Sequence, residues 1–330
     1  VDRAADKVYF YAPDGADPNS LMVEASTRGS GLSVNGSTVR NVAFRHQQDY
    51  GLSITGQATV EDCIFEGIGS EDGGSALRAT WGTRNARVSN NVFANNTNNA
   101  INWNASPHFT DPSYIDHNVI LNTGMVPGYG GEGFWKAAGV VISNATNLHV
   151  EYNRIDSTGY AGIILGSDGN YAEYNVIDNA MSTLNDGGAI YTNCSYSTIR
   201  HNIIRDTKGG MEYSGWWATL AHGIWPEFLE DFHHNVIENN TVVGSGGYGL
   251  FLVNNFNNTV TGNVLYGNER GQINLDGRMT NSRTGRTENL PQNHYFEGNI
   301  LFSTDDDQPS IEFDKRYDYG QMQYNYFLNP

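Results

Sequence analysis

Side chains able to do chemistry are concentrated between residues 184 and 231. Asp186, Glu212, Glu227, Glu230 and Asp231 supply carboxyl groups, His222 an imidazole, and Trp216, Trp217 and Trp225 broad indole faces. Two neighbouring carboxyl groups can divide acid and base work, because each raises the other's pKa and one keeps its proton. Indole faces pack against the C–H faces of a pyranose ring. Acids and tryptophans this close in sequence suggest a site for a neutral sugar. Each residue also has a plainer use. Asp186 could cap the bend at Gly187-Gly188, the tryptophans could plug a loop, and His222 could be a turn residue.

Composition narrows the surroundings. The 330 residues carry 19 Lys+Arg against 36 Asp+Glu, a net charge of −17. Such a surface repels a nucleic-acid backbone, and no basic stripe compensates. No apolar run is long enough to span a membrane. Aromatic residues make up 12% and charged residues only 17%, the reverse of a disordered chain. Cys63 and Cys194 have no metal spacing and form no disulfide framework, so both read as small buried hydrophobes. The chain starts at Val1 and soon enters the strand-like run Lys7–Tyr11, which reads as a processed or truncated chain.

The elements that position these residues come from a repeat. An apolar residue, two or three polar ones, Asn and two more apolar residues recur, as in Ile115–Ile120, Val150–Ile155 and Ile199–Ile204. The Asn falls at positions 91, 118, 153, 175, 202, 240, 263, 299 and 325. Between these lie short alternating strands that open on Gly, such as Gly162–Leu165, Gly188–Thr192 and Gly249–Leu252. Short strands at a period of about 22 residues, with no helices between them, describe a parallel β-helix solenoid. Asn suits its turns, since it tolerates a left-handed backbone and its amide can bond to the next coil. Residues 1–35 read as a lead-in and 36–330 as the solenoid. The insertions at 104–114, 124–137, 214–232 and 277–293 are expected to form a binding groove, with Trp135 as one wall and Arg278 extending it beyond Asp276.

Two segments carry a family resemblance. Asp186-Gly187-Gly188-Ala189-Ile190-Tyr191-Thr192 resembles the acid-Gly-Gly-Ile-Tyr strand of β-helix glycoside hydrolases of the α-L-fucosidase/xylanase type, within the right-handed, pectate-lyase-like β-helix superfamily. Gly223-Ile224-Trp225-Pro226-Glu227 is similar to the Gly-Ile-Tyr-Leu-acid segment one coil later, with Pro226 and Glu227 where Leu and Asp are usual. The resemblance implies that Asp186 and Glu227 are the catalytic carboxylates. Tyr191, Glu212, Trp216, Trp217, His222 and Trp225, with Trp135 and Arg278, would then bind substrate.

If the two acids occupy matching positions on adjacent coils, about 5 Å apart, the spacing suits a retaining hydrolase. No cofactor is expected. A structural Ca²⁺ has one candidate run, Asp305-Asp306-Asp307, which lacks EF-hand spacing. The implied partner is a carbohydrate, and the implied location is secreted or periplasmic. Two alternatives stand beside the hydrolase. A polysaccharide lyase would draw its base from Arg200, Arg205 or Lys208, and a non-catalytic β-helix would only bind glycans.

Overall fold

The computed structural model describes residues 17, 20, 26–70, 74–129, 135–210, 219–227, 232–253, 256–276, 292–313 and 318–329. The strands, β1 to β33 in chain order, form three parallel sheets of 11 strands each. Every third strand pairs with its neighbour in the same sheet, so each coil contributes one strand to each sheet. Among the described residues no helix is long and apolar enough to cross a membrane. The first strand, β1 (Ser30–Asn35), uses the last six residues of the segment expected as a lead-in.

Alternation explains the interior. On the third sheet Phe44, Phe65 and Phe93 share one register column, and their rings stack at 4.9 and 4.6 Å. The column continues inward through Ile120, Ile155, Ile177 and Ile204, all fully buried. Stacking coils turns one apolar residue per strand into a continuous core that no single coil could bury. Cys63 and Cys194 lie in this core as free thiols.

The Asn residues form an inner ladder. The backbone N–H of Asn91 donates to Asn118 Oδ1, Asn118 to Asn153, Asn153 to Asn175, Asn175 to Asn202 and Asn202 to Asn240, at 2.9–3.0 Å. The series runs on through Asn263 and Asn299 to Asn325. Each side-chain amide N–H₂ also reaches a backbone carbonyl of the preceding coil, as Asn202 does to Ala172 at 2.8 Å. The amides thus satisfy turn groups that the sheets leave unpaired.

The left-handed residue of each turn is not this Asn but the one before it. Asn90, His117, Tyr152, Tyr174, His201 and Asn239 all have φ near +55°. Four of these rings stack along the surface, His117–Tyr152–Tyr174–His201, at 5.2, 4.9 and 4.7 Å. That contact offsets the cost of a bulky side chain at positive φ. A second ladder, Asn170–Ser197–Asn235–Asn258, supports another turn.

Candidate functional site

The outer face of the first sheet changes character along the solenoid axis. Its outward column is polar in the early coils, with Ser53, Arg78 and Asn102. It turns apolar and aromatic through Val141, Ile164, Tyr191, Trp225 and Phe251, then polar again at Asn274 and Glu312. Such an outward stripe would normally face water. Here it forms a second hydrophobic cluster, separate from the interior, with Tyr160, Met181, Tyr191 and Trp225 buried and Trp135 packed against them.

Asp186 and Glu227 flank this aromatic band. Asp186 immediately precedes β19 (Gly187–Thr192), and Glu227 immediately follows the neighbouring β22 (Ala221–Pro226). The register places Tyr191 opposite Trp225 and Thr192 opposite Pro226, and the Glu227 N–H donates to the Thr192 carbonyl at 2.8 Å. The two acids therefore stand at opposite ends of adjacent strands. They are not rung partners, so the one-rung spacing expected from sequence does not hold.

The local sequence of each end has a packing cause. Asp186 has φ +69°, turning the chain sharply into the strand. A Cβ on Gly187 would lie 2.6 Å from the Tyr160 ring, and one on Gly188 would lie 3.1 Å from Trp225. Gly187 leaves the space that the Tyr160 ring fills, and Gly188 lets the Trp225 Cβ and backbone N come close. The Tyr160 hydroxyl donates to the Asp186 carbonyl at 2.8 Å, which fixes the turn.

The electrostatics separate the two carboxyl groups. Glu227 is half-buried, and burial followed by the charge of Asp186 raises its pKa from an ordinary 4.5 to about 7. Asp186 keeps solvent exposure, yet the protein crowding it also raises its pKa. Its carboxylate has no hydrogen-bond partner among the described residues. The Tyr191 hydroxyl donates to Glu227 Oε2. Tyr160, buried beside both acids, has its phenol pKa raised by burial first and then by Asp186 and Glu227. Both acids therefore act on the same small region, with the two phenols between them.

The other candidates divide. Tyr191, Trp225 and Trp135 belong to the aromatic wall, with Tyr191 and Trp225 edge to face at 5.6 Å. Trp135 comes from the expected 124–137 insertion and covers Gly166. His222 lies behind this wall and not on it, which corrects its expected contact with substrate. It is fully buried, accepts the Tyr248 N–H at Nδ1 at 2.9 Å, and packs against Trp225 and Phe251. Burial, then the charge of Arg270, lowers its pKa to about 3, so it is neutral. Glu212, Trp216, Trp217, Arg278, Glu230 and Asp231 lie outside the described residues. Sequence reasoning missed Tyr160, 26 positions before Asp186, because only the solenoid brings it there.

The basic residues considered for a lyase point elsewhere and are paired. Arg200 bonds Glu173 on the second sheet, Arg205 forks onto Asp178 at 2.6 and 2.9 Å on the third, and Lys208 lies 3.6 Å from Asp206 and from Glu269. Asp305–Asp307 is an exposed turn in which Asp305 Oδ1 accepts the Asp307 N–H at 3.1 Å.

Comparison with known proteins defines the class. A family model described as "Right handed beta helix region" matches residues 26–222 and 137–287, and the chain belongs to that family. The match reaches the family as a whole and does not single out its hydrolases. No curated protein sequence matches.

Among solved structures, the tailspike protein of E. coli bacteriophage HK620, a mutant in complex with a pentasaccharide, is similar at TM-score 0.48 and 9% identity, over 94% of this chain and 64% of the tailspike. The chain thus spans less than two thirds of that protein. The Azotobacter vinelandii mannuronan C-5 epimerase AlgE4 A-module is similar at TM-score 0.32 and 14% identity, over 91% of this chain and 86% of that one. The assignment rests on the family match and on the three sheets themselves.

Proposed function

We propose that this β-helix is a glycoside hydrolase with Glu227 as general acid and Asp186 as its partner carboxylate. The observation that supports this most is one half-buried acid held near neutrality beside one exposed acid, both on an aromatic face. Glu227, protonated near pH 7, donates to the glycosidic oxygen as the C–O bond breaks. Asp186, ionised and open to water, takes a proton from the water that attacks the anomeric carbon. Tyr191 holds the Glu227 carboxyl in place. The proton that Glu227 gives up is matched by the one Asp186 gains, and exchange with solvent resets the pair.

The one-rung spacing that suggested retention is absent, and Asp186 acting as base on a water corresponds to inversion. Inverting pairs stand roughly 6.5–9.5 Å apart, against about 5–5.5 Å for a retaining nucleophile. Trp225, Tyr191 and Trp135 offer apolar surface to the sugar ring. A secreted or periplasmic location follows from this substrate class.

Elimination is a weaker reading, since Arg200, Arg205 and Lys208 are each engaged by carboxylates away from this face. The two reactions leave different products. Wild-type protein is incubated with a glycan panel that includes uronates, and reducing ends and the ultraviolet absorbance of an unsaturated uronate are followed together. Reducing ends without absorbance support hydrolysis. A rise in absorbance replaces it with a lyase.

A further inference from the structure

The second sheet carries a cluster that the proposed reaction does not use. There β14 (Leu148–Glu151) pairs with β17 (Tyr171–Glu173), with His149 opposite Tyr171 and Glu151 opposite Glu173. Val150 points into the core, so alternation turns His149 and Glu151 outward together. One ligand atom from each of His149, Glu151 and Glu173 lies within 4.8 Å of the other two. His149 Nδ1 is 3.5 Å from Glu173 Oε2.

Hydrogen bonding fixes what the imidazole presents. The Asn147 amide N–H₂ donates to the Thr110 carbonyl at 2.8 Å, which leaves its Oδ1 facing His149 Nε2 at 3.1 Å. An amide oxygen only accepts, so the hydrogen of His149 sits on Nε2. Nδ1, on the other side of the ring, faces the Glu173 carboxylate across 3.5 Å, a gap that a ligated cation can fill. Tyr114 and Tyr171 stack on the two faces of the ring, at 5.1 and 4.2 Å, and hold it there.

The charge pattern points the same way independently. Asp116, Glu151 and Glu173 occupy one column on three successive coils. Like charges directly opposite on neighbouring strands repel. Arg87 neutralises Asp116 at 2.9 and 2.7 Å, and Arg200 neutralises Glu173. The Glu151 carboxylate, between them, makes no hydrogen bond or ion pair among the described residues.

We propose that His149, Glu151 and Glu173 form a binding site for a divalent transition metal of the zinc class, clasping two coils of the solenoid. One imidazole nitrogen and two carboxylates suit Zn²⁺, and an outer partner on the second ring nitrogen is what such ligands use. Ca²⁺ prefers six to eight oxygens and has no use for the imidazole. Bonds of about 2.0–2.2 Å would draw the ligand atoms to about 3.4 Å apart, a side-chain adjustment with the backbone in place.

The test is equilibrium dialysis of the chelator-treated chain against Zn²⁺, with Co²⁺ as a visible-spectrum probe of the same site. One Zn²⁺ per chain is expected. Kd should rise at least tenfold in His149→Ala and in the shape-preserving Glu151→Gln, and the Co²⁺ bands should be lost in both. The adjacent His233–His234 pair, with Nδ1 atoms 2.9 Å apart, is the competing location. His234→Ala should therefore bind as the wild type does. No stoichiometric binding, binding that survives His149→Ala, or binding lost in His234→Ala would each overturn the proposal.

Discussion

Replacing Glu227 by Gln removes the ionisable group while keeping its shape. The folded protein holds this carboxyl at about 7 against an ordinary value of 4.5, so the folded state binds the proton more tightly than the unfolded chain. Below pH 4.5 both states are protonated and the group costs nothing. Between 4.5 and about 7 the unfolded chain ionises first and wild-type stability falls; above about 7 the whole cost is present. At about 1.4 kcal/mol per pH unit the ceiling is about 3 kcal/mol, and partial exposure brings the expectation to about 1–2 kcal/mol.

Glu227→Gln escapes that cost. With about 2.1 cal/mol/K per residue over 330 residues, its Tm should exceed that of wild type by about 1.5–3 °C at pH 8. The two should converge at pH 4. Paired calorimetric scans across this range decide it, because all other titrating groups are common to both proteins. A difference in Tm that stays constant with pH, or a wild type more stable at pH 8, refutes the assignment of a desolvated carboxyl at this position.

Two further outcomes follow from the same geometry. Asn202→Ala deletes one rung of the inner ladder and leaves the Asn175 N–H and the Ala172 carbonyl without partners; a loss of about 2–4 kcal/mol should appear in denaturant melts. Tyr191→Phe removes the donor to Glu227, so the basic limb of the pH–rate profile should move upward while the fold is kept, and an unchanged limb would show the contact to be incidental.

The solenoid was legible because its physics repeats. A buried Asn with apolar neighbours at each turn leaves the same mark in every coil, and insertions such as the one between Asn202 and Asn240 only lengthen the step. The role of the positive-φ residue was misplaced by one position. Tyr152 and Tyr174 carry no turn signal of their own, and their left-handed backbone is held by ring stacking between coils.

The candidate site was legible in part. Asp186-Gly187-Gly188 stands out because the Tyr160 ring needs the space beside Gly187 and the Trp225 strand packs closely on Gly188. Its pairing with Glu227 depends on strand register, which places the acids at opposite strand ends and which no local pattern encodes. The polar character of His222 suggested a binding role, but its place behind Trp225 is set by packing from Tyr248 and Phe251 on the next coil. His149 and Glu173 gave no signal, being 24 positions apart until the coils stack.

In the proposed reaction Asp186 and Glu227 together break a glycosidic bond. The most direct measurement is the turnover rate of wild type, Asp186→Asn and Glu227→Gln on the glycan that wild type cleaves, with folding of each variant checked by its melting curve. Each variant is expected to lose on the order of 10²–10⁴-fold in kcat while remaining folded. A variant that stays folded and turns over within tenfold of wild type would contradict it.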